Sequence, residues 1–439
     1  MRRCLLFVIL VTSVLSAHAG DAGPNILLIF ADDVGTDAIG CYGGQSHPTP
    51  HIDSIASAGI KFNHCYAMPV CHPSRICLMT GKYPFRFGAA GKRWGGFPEE
   101  AESETISHEM KRLGYRTAVA GKWQLCMMKD DPMHPGRLGF DRWMLFGWHE
   151  GARYNDPLLY VNGQQLESTE GRFGPDEYVE FLVDFMEDAK RGNQPFFAYY
   201  PMALCHDVTN DLKDQTVPFY TDNRWMTYAE MISAMDDRIG RLLDELDRLD
   251  LAKNTLVLFV TDNGTAASSF FDVNENGVMQ RRPVFNIQDG EVVRGGKGRL
   301  LDTGTRVPML ARWPGEIAEG TVTDAMVDLT DLLPTVVEIG GGKKSSDSID
   351  GKSYADLLSS KLDGNRRRTW VYLGHRGRQA IRSHQAKLYS DGKFFDMLGD
   401  PAELNPLLPT QLGPNLRKES KMLRETLDHL LTESVLAVE

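Results

Sequence analysis

The chain has 439 residues, of which 42% are hydrophobic and 24% are charged, and these values are ordinary for a soluble globular protein. A chain of this length is predicted to form one large domain and a smaller one. The formal net charge of −11 excludes nucleic acid and anionic membranes as main partners, so an anionic substrate would need its own local cluster of cations.

The first 19 residues have the pattern of a secretory signal peptide. Arg2 and Arg3 precede an apolar run at 4–15, and Ala17-His18-Ala19, with a small residue at each end, supplies a cleavage site. The apolar run is too short to span a bilayer, and no later stretch is apolar enough to do so. We therefore expect an exported protein, periplasmic or secreted, with no membrane span. Cleavage would move the formal charge from −11 to −13, since it removes two arginines and no acid.

The cysteines do not predict a disulfide framework. Six remain after cleavage: Cys41, Cys65, Cys71, Cys77, Cys126 and Cys205. An exported protein could pair them. However, they lack the tight spacing of a disulfide scaffold, and none forms the Cys-x-x-Cys pattern of a zinc site. We assign no disulfide.

Apolar runs of strand length alternate with amphipathic segments over the first 340 residues. The predicted strands cover residues 25–31, 61–67, 115–120, 195–200, 255–260 and 307–313. The predicted helices cover residues 52–58, 105–113, 175–190, 226–249 and 328–339, with a short helix beginning near residue 71. This order is typical of an α/β fold with a large, mostly parallel or mixed central sheet and helices on both faces. The polar segment 265–290 is predicted to be a long loop over a site.

The pattern changes after residue 365. Short strand-like runs at 369–373, 380–382, 387–390 and 394–396 have hairpin spacing, and a terminal helix covers about 415–432. They predict a smaller C-terminal antiparallel sheet with a packed helix. The expected organisation is a signal peptide at 1–19, a catalytic domain at 20–365 and a C-terminal α+β subdomain at 366–439. Residues 343–347 are a candidate polar linker.

Polar side chains follow several of the predicted strands directly. Those with oxygen ligands are Asp32, Asp33, Asp262 and Asn263, and Lys122 and His206 lie in similar positions. A single Asp after a strand is usually a turn or N-cap residue. In open α/β sheets, however, ligands bind beyond the carboxyl ends of the strands, so several such groups favour a site. The four oxygen donors suit Ca²⁺ or Mg²⁺ and suit zinc or copper poorly.

Cys71 begins the predicted helix, with Pro73 in its first turn. A helix N-terminus presents unpaired N–H groups and the positive end of the dipole, which can bind an anion. The alternative is a buried structural cysteine before a capped helix. Arg75 and Lys297 are further cations near this edge, and the glycines around Lys297 would let the backbone approach a ligand. Lys297 could equally be an exposed loop lysine, and His206 a structural histidine.

A metal and several cations around a nucleophile would stabilise charge during sulfuryl or phosphoryl transfer. The sequence Cys71-His72-Pro73-Ser74-Arg75, followed by an apolar helix and Thr80-Gly81, resembles the Cys-x-Pro-Ser-Arg motif of the formylglycine-dependent, arylsulfatase-like sulfatases of the alkaline phosphatase superfamily. Further matches are Thr49-Pro50, Gly121-Lys122-Trp123, Thr261-Asp262-Asn263-Gly264, Arg294-Gly295-Gly296-Lys297-Gly298, Arg306-Val307-Pro308 and Asp331-Leu332-Leu333-Pro334-Thr335. The resemblance covers about residues 25–351 and is fainter beyond.

The resemblance implies a role for each candidate residue. A formylglycine-generating enzyme would oxidise Cys71 to an aldehyde, whose hydrate attacks sulfur with one hydroxyl and expels sulfate with the other. The implied ligands of Ca²⁺, with Mg²⁺ as the alternative, are Asp32, Asp33, Asp262, Asn263 and the modified residue 71. Arg75 would hold the hydrate, Lys122 and Lys297 would bind sulfate oxygens, and His206 would donate a proton to the leaving oxygen. The implied substrate is a sulfated small molecule or glycan.

The chain departs from the family pattern at Gln124, where Gly-Lys-Trp is usually followed by histidine. Glutamine can hydrogen-bond to a substrate but cannot titrate, so a deprotonation step that needs this histidine is in doubt. A lesser departure is Thr303-Gly304-Thr305, where a Gly-Gly pair is common.

Two other functions remain open from the sequence. One is a formylglycine-dependent phosphodiesterase or phosphonate monoester hydrolase, and the other is a non-catalytic binding protein that is never matured at Cys71. Loops at 92–98, 149–155 and 265–290 are expected to choose the substrate. Trp94, Trp148 and Tyr154 are candidates for stacking on a ring, with plain packing as the alternative.

Overall fold

The computed structural model describes residues 23–88, 96–148, 150–206, 227–273, 279–343, 349–359 and 368–436. The predicted signal peptide, Trp94, His149, nearly all of the candidate linker and the boundary at residue 365 lie outside these ranges. Among the described residues, no helix combines the length and the apolar character needed to cross a membrane.

The main domain alternates strands and helices as expected. Its strands are β1 (Asn25–Ala31), β2 (Ile60–Tyr66), β3 (Arg116–Gly121), β4 (Arg142–Phe146), β5 (Leu159–Val161), β6 (Gln164–Gln165), β7 (Phe196–Pro201), β8 (Thr255–Thr261), β9 (Ser268–Val273), β10 (Met279–Pro283), β11 (Phe285–Gln288), β12 (Glu291–Arg294), β13 (Arg306–Val307), β14 (Met309–Arg312) and β15 (Thr321–Asp328). Its helices are α1 (Pro50–Ser57), α2 (Cys71–Thr80), α3 (Ile106–Arg112), α4 (His134–Arg137), α5 (Gly174–Arg191), α6 (Tyr228–Arg248), α7 (Asp302–Thr305), α8 (Leu332–Ile339) and α9 (Ala355–Leu358).

Eleven of these strands form one mixed sheet. The order across it is β15-β2-β14-β8-β1-β7-β3-β4-β5-β6. The short strand β13, which precedes β14 in the chain, also pairs with β2. The central strands β8, β1, β7, β3 and β4 run parallel, whereas β14, β5 and β6 run antiparallel to their neighbours. The parallel centre brings the carboxyl ends of β1, β3, β7 and β8 to one edge. The predicted fold class is confirmed.

Strand β1 shows why both faces of the sheet are covered. Ile26, Leu28 and Phe30 lie in one hydrophobic core with residues of α2, α3 and α8. Leu27 and Ile29 lie in a second core with residues of α1, α5 and α6. Because side chains alternate along a strand, a run of seven buried residues serves both layers.

Two sequence-based expectations about this domain are wrong. The segment 265–290 is not one long loop, because its described residues form the hairpins β9–β10 and β11–β12. Phe285 and Ile287 of β11 alternate with Asn286 and Gln288, but these two apolar residues are exposed while Asn286 is buried, so the strand's apolar face does not contribute to the core. The predicted strand at 307–313 is divided into β13 and β14 at Pro308, which has no N–H for the ladder.

The C-terminal subdomain has the predicted form. Strands β16 (Val371–His375), β17 (Arg378–Arg382), β18 (Ala386–Tyr389) and β19 (Phe394–Asp396) form an antiparallel sheet. Helix α10 (Pro414–Leu436) packs against β17 and β18. The six cysteines that the structure describes are free thiols.

A buried arginine joins the subdomain to the main sheet. Arg368 is 4% exposed, its Nε donates to Asp331 Oδ2 at 3.0 Å, and its Nη1 lies 3.3 Å from Asp328 Oδ2. Its Nη1 also donates to the Tyr83 hydroxyl at 3.0 Å. One guanidinium therefore compensates two buried carboxylates.

We expect Arg368→Met to lower the free energy of unfolding by about 3–5 kcal/mol, because it leaves two buried carboxylates without their cation. Urea unfolding measures this change. Arg378 on β17 is exposed, so Arg378→Met should change stability by about 0.5 kcal/mol or less. Equal effects of the two substitutions would contradict this account of the interface.

Candidate active site

The acidic residues at the ends of β1 and β8 lie side by side. Ala31 pairs with Thr261 at the last register position of the two strands. Beyond that pair, the Asp262 N–H donates to the Ala31 carbonyl at 3.0 Å, and the Asp33 N–H donates to Asp262 Oδ1 at 3.2 Å. Asp32, Asp33, Asp262 and Asn263 are all buried.

Two oxygen atoms in this group test whether the residues suit a metal ion. Asp32 Oδ1 and Asn263 Oδ1 are buried, and neither has a hydrogen-bond partner among the described residues. A buried polar atom without a partner is costly and needs an explanation. Three carboxylates and one amide oxygen form a hard, oxygen-only donor set. These residues therefore fit a divalent cation of the Ca²⁺ or Mg²⁺ type.

Cys71 lies at the first position of α2, against the acidic group. Its Sγ, one carboxylate oxygen of Asp32 and one of Asp262 all lie within 4.8 Å of one another. The Ser74 hydroxyl donates to the Asp262 carbonyl at 2.6 Å, which ties α2 to the residues after β8. The structure thus places a cysteine thiol, the N-terminus of a helix and two carboxylates together.

Two cations, Arg75 and Lys122, pair with Asp32 and Asp262 of this group. Arg75 Nη2 lies 3.5 Å from Asp32 Oδ2 and 3.4 Å from Asp262 Oδ2. Lys122, at the end of β3, pairs with Asp32, and its backbone carbonyl accepts from Arg75 Nη1 at 2.8 Å. Both side chains are buried. The predicted positive groups therefore lie at the predicted edge of the sheet.

Lys297 reaches the site from the segment after β12. Its Nζ lies 2.6 Å from Asp33 Oδ1 and 2.8 Å from Oδ2. Its backbone N–H donates to the Thr265 carbonyl at 3.0 Å. A Cβ on Gly296 would lie 2.3 Å from the carbonyl carbon of Thr303, so only glycine fits before Lys297. Lys297 is accordingly a held side chain and not a free loop lysine.

Burial and mutual charge shape the ionisation of the three acids. Burial opposes ionisation of Asp32, but Lys122 and Arg75 outweigh it and lower the pKa of this carboxyl. Burial and the charge of Asp32 raise the pKa of Asp262 well above its usual value. Burial also raises the pKa of Asp33, with Lys297 opposing the shift. The three carboxylates compete for positive charge, which is the electrostatic condition that favours a bound cation.

His206 lies beside the same carboxylates. One of its ring nitrogens, a carboxylate oxygen of Asp32 and one of Asp33 lie within 4.8 Å of one another. The Trp148 ring stands edge-on to His206 at 5.5 Å between centroids, and Arg153 Nη1 lies 3.2 Å from His206 Nδ1. The structure therefore brings together all the charged site residues proposed from the sequence.

A family model described as sulfatase matches residues 24–342 of this chain. The chain belongs to the sulfatase family. As a sulfatase it hydrolyses sulfate esters. A second model, described as the C-terminal part of N-sulphoglucosamine sulphohydrolase, matches residues 296–430.

Individual relatives agree with this assignment. Human arylsulfatase A is 30% identical over 419 residues, which cover 86% of this sulfatase and 78% of the relative. A structure solved in complex with its substrate D-glucosamine-2-N,6-O-disulfate superposes with a TM-score of 0.70 at 22% identity, covering 94% of this chain and 98% of that one. The phosphonate monoester hydrolase of Agrobacterium radiobacter has a TM-score of 0.60 at 16% identity, with coverage of 94% and 96%. The last two likenesses show the fold alone.

Gln124 occupies the position after Gly121-Lys122-Trp123, where histidine is usual in the family. It follows Lys122 by two residues, is 1% exposed and has a left-handed backbone with φ of 54°. Its Oε1 is buried and has no hydrogen-bond partner among the described residues. A buried amide in this state is available to a ligand, but it cannot take up a proton.

Two of the aromatic residues considered in the sequence, Trp148 and Tyr154, follow the packing alternative. Trp148 is 4% exposed and Tyr154 is fully buried, so neither offers an open face to a sugar ring. Trp148 instead lies 4.6 Å from Lys122 Nζ and 4.8 Å from Arg153 Cζ, measured to its ring centroid. Sequence reasoning missed Arg153 altogether, because no motif marks it.

Proposed function

We propose that this sulfatase uses formylglycine formed from Cys71, together with Ca²⁺, to cleave the sulfate ester of a carbohydrate or aryl alcohol. The observation that supports it most strongly is the position of Cys71. It begins a helix within a cluster of buried carboxylates, and Arg75, Lys122, Lys297 and His206 lie around that cluster.

In this proposal residue 71 supplies the nucleophile. A formylglycine-generating enzyme oxidises the thiol to an aldehyde, which adds water to become a hydrate. One hydroxyl of the hydrate attacks sulfur while the bond from sulfur to the alcohol oxygen breaks. The second hydroxyl then loses its proton, the aldehyde reforms, and sulfate leaves with the oxygen that attacked. In this proposal the Cys71 thiol stands in for the hydrate.

The cation would be held by Asp32, Asp33, Asp262, Asn263 and residue 71. When bound, it supplies Lewis-acid polarisation of a sulfuryl oxygen. Calcium is favoured over magnesium because the protein offers many oxygen ligands, whereas magnesium usually keeps several waters. The unpartnered Asp32 Oδ1 and Asn263 Oδ1 support this assignment.

The cationic side chains have separate tasks around the reacting group. Arg75 is buried and lies over the Phe30 ring at 5.3 Å, so it is a fixed donor that can hold the hydrate. Lys122 and Lys297 provide ammonium groups for the sulfate oxygens, which carry the charge that develops during transfer. His206 donates to the oxygen of the leaving alcohol.

We propose a sulfated carbohydrate as the natural substrate class. The structural neighbour with a bound substrate takes a sulfated glucosamine. The C-terminal family model is named for a sulphohydrolase of N-sulphoglucosamine. With its predicted signal peptide, this sulfatase would act on such substrates outside the cytoplasm, in the periplasm or as a secreted enzyme.

A second candidate activity comes from the shared fold. A phosphonate monoester hydrolase has the same fold, and the cations here could serve a phosphodiester or phosphonate as well. A sulfate monoester carries one negative charge, as does a phosphodiester, so charge alone does not separate the two.

The test compares turnover of 4-nitrophenyl sulfate with that of bis(4-nitrophenyl) phosphate by the matured enzyme. We expect kcat/KM to favour the sulfate by about 100-fold, equivalent to about 2.7 kcal/mol of transition-state stabilisation. A higher value for the phosphodiester would overturn the proposal in favour of the second candidate. A panel of sulfated monosaccharides and disaccharides then identifies the natural substrate.

A further inference from the structure

The segment 298–305 follows Lys297 directly and connects this lysine to two other parts of the proposed site. Its first N–H donates to the Pro69 carbonyl at 2.8 Å, two residues before the proposed nucleophile. Near its end, the Gly304 carbonyl accepts from the Gly264 N–H at 3.0 Å, directly after the last of the proposed metal ligands. The main chain that carries Lys297 is thus bonded to the main chain beside both groups.

The packing around this segment leaves its main chain little room to move. A Cβ on Gly264 would collide with the Thr303 carbonyl oxygen, so backbone lies directly against backbone there. The Arg299 N–H donates to the Gly296 carbonyl at 2.9 Å, and the chain therefore turns back on itself around Lys297. Because closely packed groups transmit a displacement to their neighbours, a shift of the segment is passed on to Lys297.

The C-terminal subdomain holds the middle of the segment through a buried lysine. Lys387 on β18 is fully buried, and its Nζ donates to the Leu300 carbonyl and, at 2.6 Å, to Glu403 Oε1. The Tyr389 hydroxyl donates to the other carboxylate oxygen of Glu403. The Lys387 side chain is therefore fixed by groups of the subdomain and bonded at the same time to the main chain of the segment.

A second contact between the subdomain and the segment is a bidentate ion pair. Arg382 ends β17, and its Nε and Nη2 donate to the two carboxylate oxygens of Asp302 at 3.0 and 2.9 Å. Its guanidinium carbon lies 4.9 Å from the Tyr66 ring centroid. Asp302 begins α7, inside the segment 298–305. Since a two-pronged pair fixes direction as well as distance, it orients the segment relative to the subdomain.

These two contacts differ from the ion pairs of Arg368, which also joins the subdomain to the main sheet. Arg368 pairs with Asp328 at the end of β15 and with Asp331 directly before α8. Neither β15 nor α8 carries a residue of the proposed site. The cations of β17 and β18, by contrast, contact the segment 298–305. Joining the two domains and holding the site are thus tasks of different side chains.

We propose that Lys387 and Arg382 are positioning residues, through which the C-terminal subdomain holds Lys297 in place to bind a sulfate oxygen. The inference rests on the proposed function, which assigns the sulfate oxygens to Lys122 and Lys297. Misplacement of a binding group by about 1 Å can cost about 100-fold in rate, so a support on the chain next to Lys297 acts directly on the reaction. The ammonium group that meets the substrate remains that of Lys297.

Isothermal titration calorimetry with inorganic sulfate, in a buffer that contains Ca²⁺, tests this positioning without turnover. Lys387→Met combined with Glu403→Gln removes the bond to Leu300 and both buried charges together, so no unpaired carboxylate is left behind. We expect the Kd for sulfate to rise about 10-fold. Unfolded molecules would lower the measured stoichiometry but not alter this Kd. An unchanged Kd in the folded variant would overturn the proposal.

Arg382→Met tests the second contact and does not depend on whether the double variant folds. The Asp302 side chain is 15% exposed, so solvent reaches the carboxylate that loses its partner. We again expect the Kd for sulfate to rise about 10-fold, because α7 is released from the subdomain. A Kd equal to that of the wild type would overturn the proposal here as well.

Arg368→Met is the matched control. It removes another buried cation that joins the subdomain to the main sheet, and we expect it to destabilise the protein at least as strongly. Because Arg368 does not support the segment 298–305, the Kd for sulfate should stay within about twofold of the wild-type value. An equal rise in Kd would show that any loosening between the domains weakens sulfate binding, and it would overturn the proposal.

Kinetics in a Lys297→Ala background show whether the effect passes through this lysine. In the wild-type background, the double variant should raise KM for 4-nitrophenyl sulfate about 10-fold. In the Lys297→Ala background, the same two substitutions should change KM by less than about twofold, because the group that they position is gone. The same rise in both backgrounds would overturn the proposal. Failure of the wild-type protein to release sulfate from this ester would contradict the proposed function instead, and calorimetry would still test the positioning of Lys297.

Discussion

Replacing Cys71 with alanine is expected to abolish hydrolysis of sulfate esters. The alanine side chain has no atom that oxidation can turn into an aldehyde, so the hydrate and both of its hydroxyls are lost. Loss of an enzyme nucleophile typically lowers kcat by a factor of about 10⁴ or more. Release of sulfate from 4-nitrophenyl sulfate, followed by ion chromatography, measures the loss.

A second cysteine on the same helix provides the control. Cys77 is 1% exposed and free, as Cys71 is buried and free, but it lies in the hydrophobic core and not beside the carboxylates. Cys77→Ala should lower stability by about 1 kcal/mol and leave kcat near the wild-type value. Comparable activity losses in both variants would show that packing in α2 and not the nucleophile was disturbed.

Mass spectrometry of the peptide that contains residue 71 makes the test independent of turnover. Maturation replaces a sulfur and two hydrogens with an oxygen, so the matured peptide is lighter by that difference. Active enzyme in which every copy of the peptide retains cysteine would contradict the assignment of formylglycine.

The central part of the fold could be predicted because burial leaves a simple pattern. The run Asn25–Ala31 is apolar throughout, since each face of β1 enters a different core. The run Thr255–Thr261 behaves in the same way. Once two such strands are parallel neighbours, the polar residues that follow them must meet at one edge, and Asp32 and Asp262 do so.

The strands at the edges of the fold could not be predicted, because they are only partly buried and so lack that simple pattern. Strand Thr321–Asp328 forms its ladder with β2 at the rim of the sheet, and its first five residues are not buried, so its sequence has no continuous apolar run. The hairpin β11–β12 has exposed apolar residues such as Val292, which is 70% exposed. Such strands are defined by their hydrogen-bonded partners, and a single sequence does not reveal those.

Arg153, which contacts His206, could not be identified from the sequence because the two residues are far apart in the chain. Lys122 and Lys297 stand in glycine-containing motifs that marked them as candidates. Arg153 has no such marker, and its partner His206 lies 53 positions further along the chain. Only the sheet topology, which brings the ends of β4 and β7 to the same edge, places the two side chains in contact.

Gln124 cannot act as a base in the proposed mechanism. Glutamine can hold the substrate or the hydrate with its amide, but it does not accept a proton at any ordinary pH. Deprotonation of the second hydroxyl must therefore involve another group or solvent. The unpartnered Gln124 Oε1 is consistent with a positioning role in binding.

Removing the proposed calcium ion is expected to lower both the stability and the activity of the wild-type protein. A ligand that binds only the folded state at about 100 times its dissociation constant stabilises that state by about 2.7 kcal/mol. Dialysis against a chelator should therefore lower the thermal unfolding midpoint, and added Ca²⁺ should restore it. We expect kcat to fall by about 100-fold or more in the same samples, because the Lewis acid is lost.

The substitution Asp32→Asn should remove most of this response. It replaces one of the carboxylates that gather around the proposed cation, including the unpartnered Oδ1, with a neutral amide. Asp37→Asn is the matched control, because Asp37 is equally buried but accepts from Thr265 Oγ1 at 2.9 Å and from Asn286 Nδ2 at 2.7 Å. Its carboxylate is satisfied within the protein, so this variant should keep the calcium-dependent rise in midpoint. A rise that survives Asp32→Asn and vanishes in Asp37→Asn would move the cation away from the ends of β1 and β8. Without a cation there, the convergence of Asp32, Asp33 and Asp262 would have to be explained by their pairing with Arg75, Lys122 and Lys297 alone.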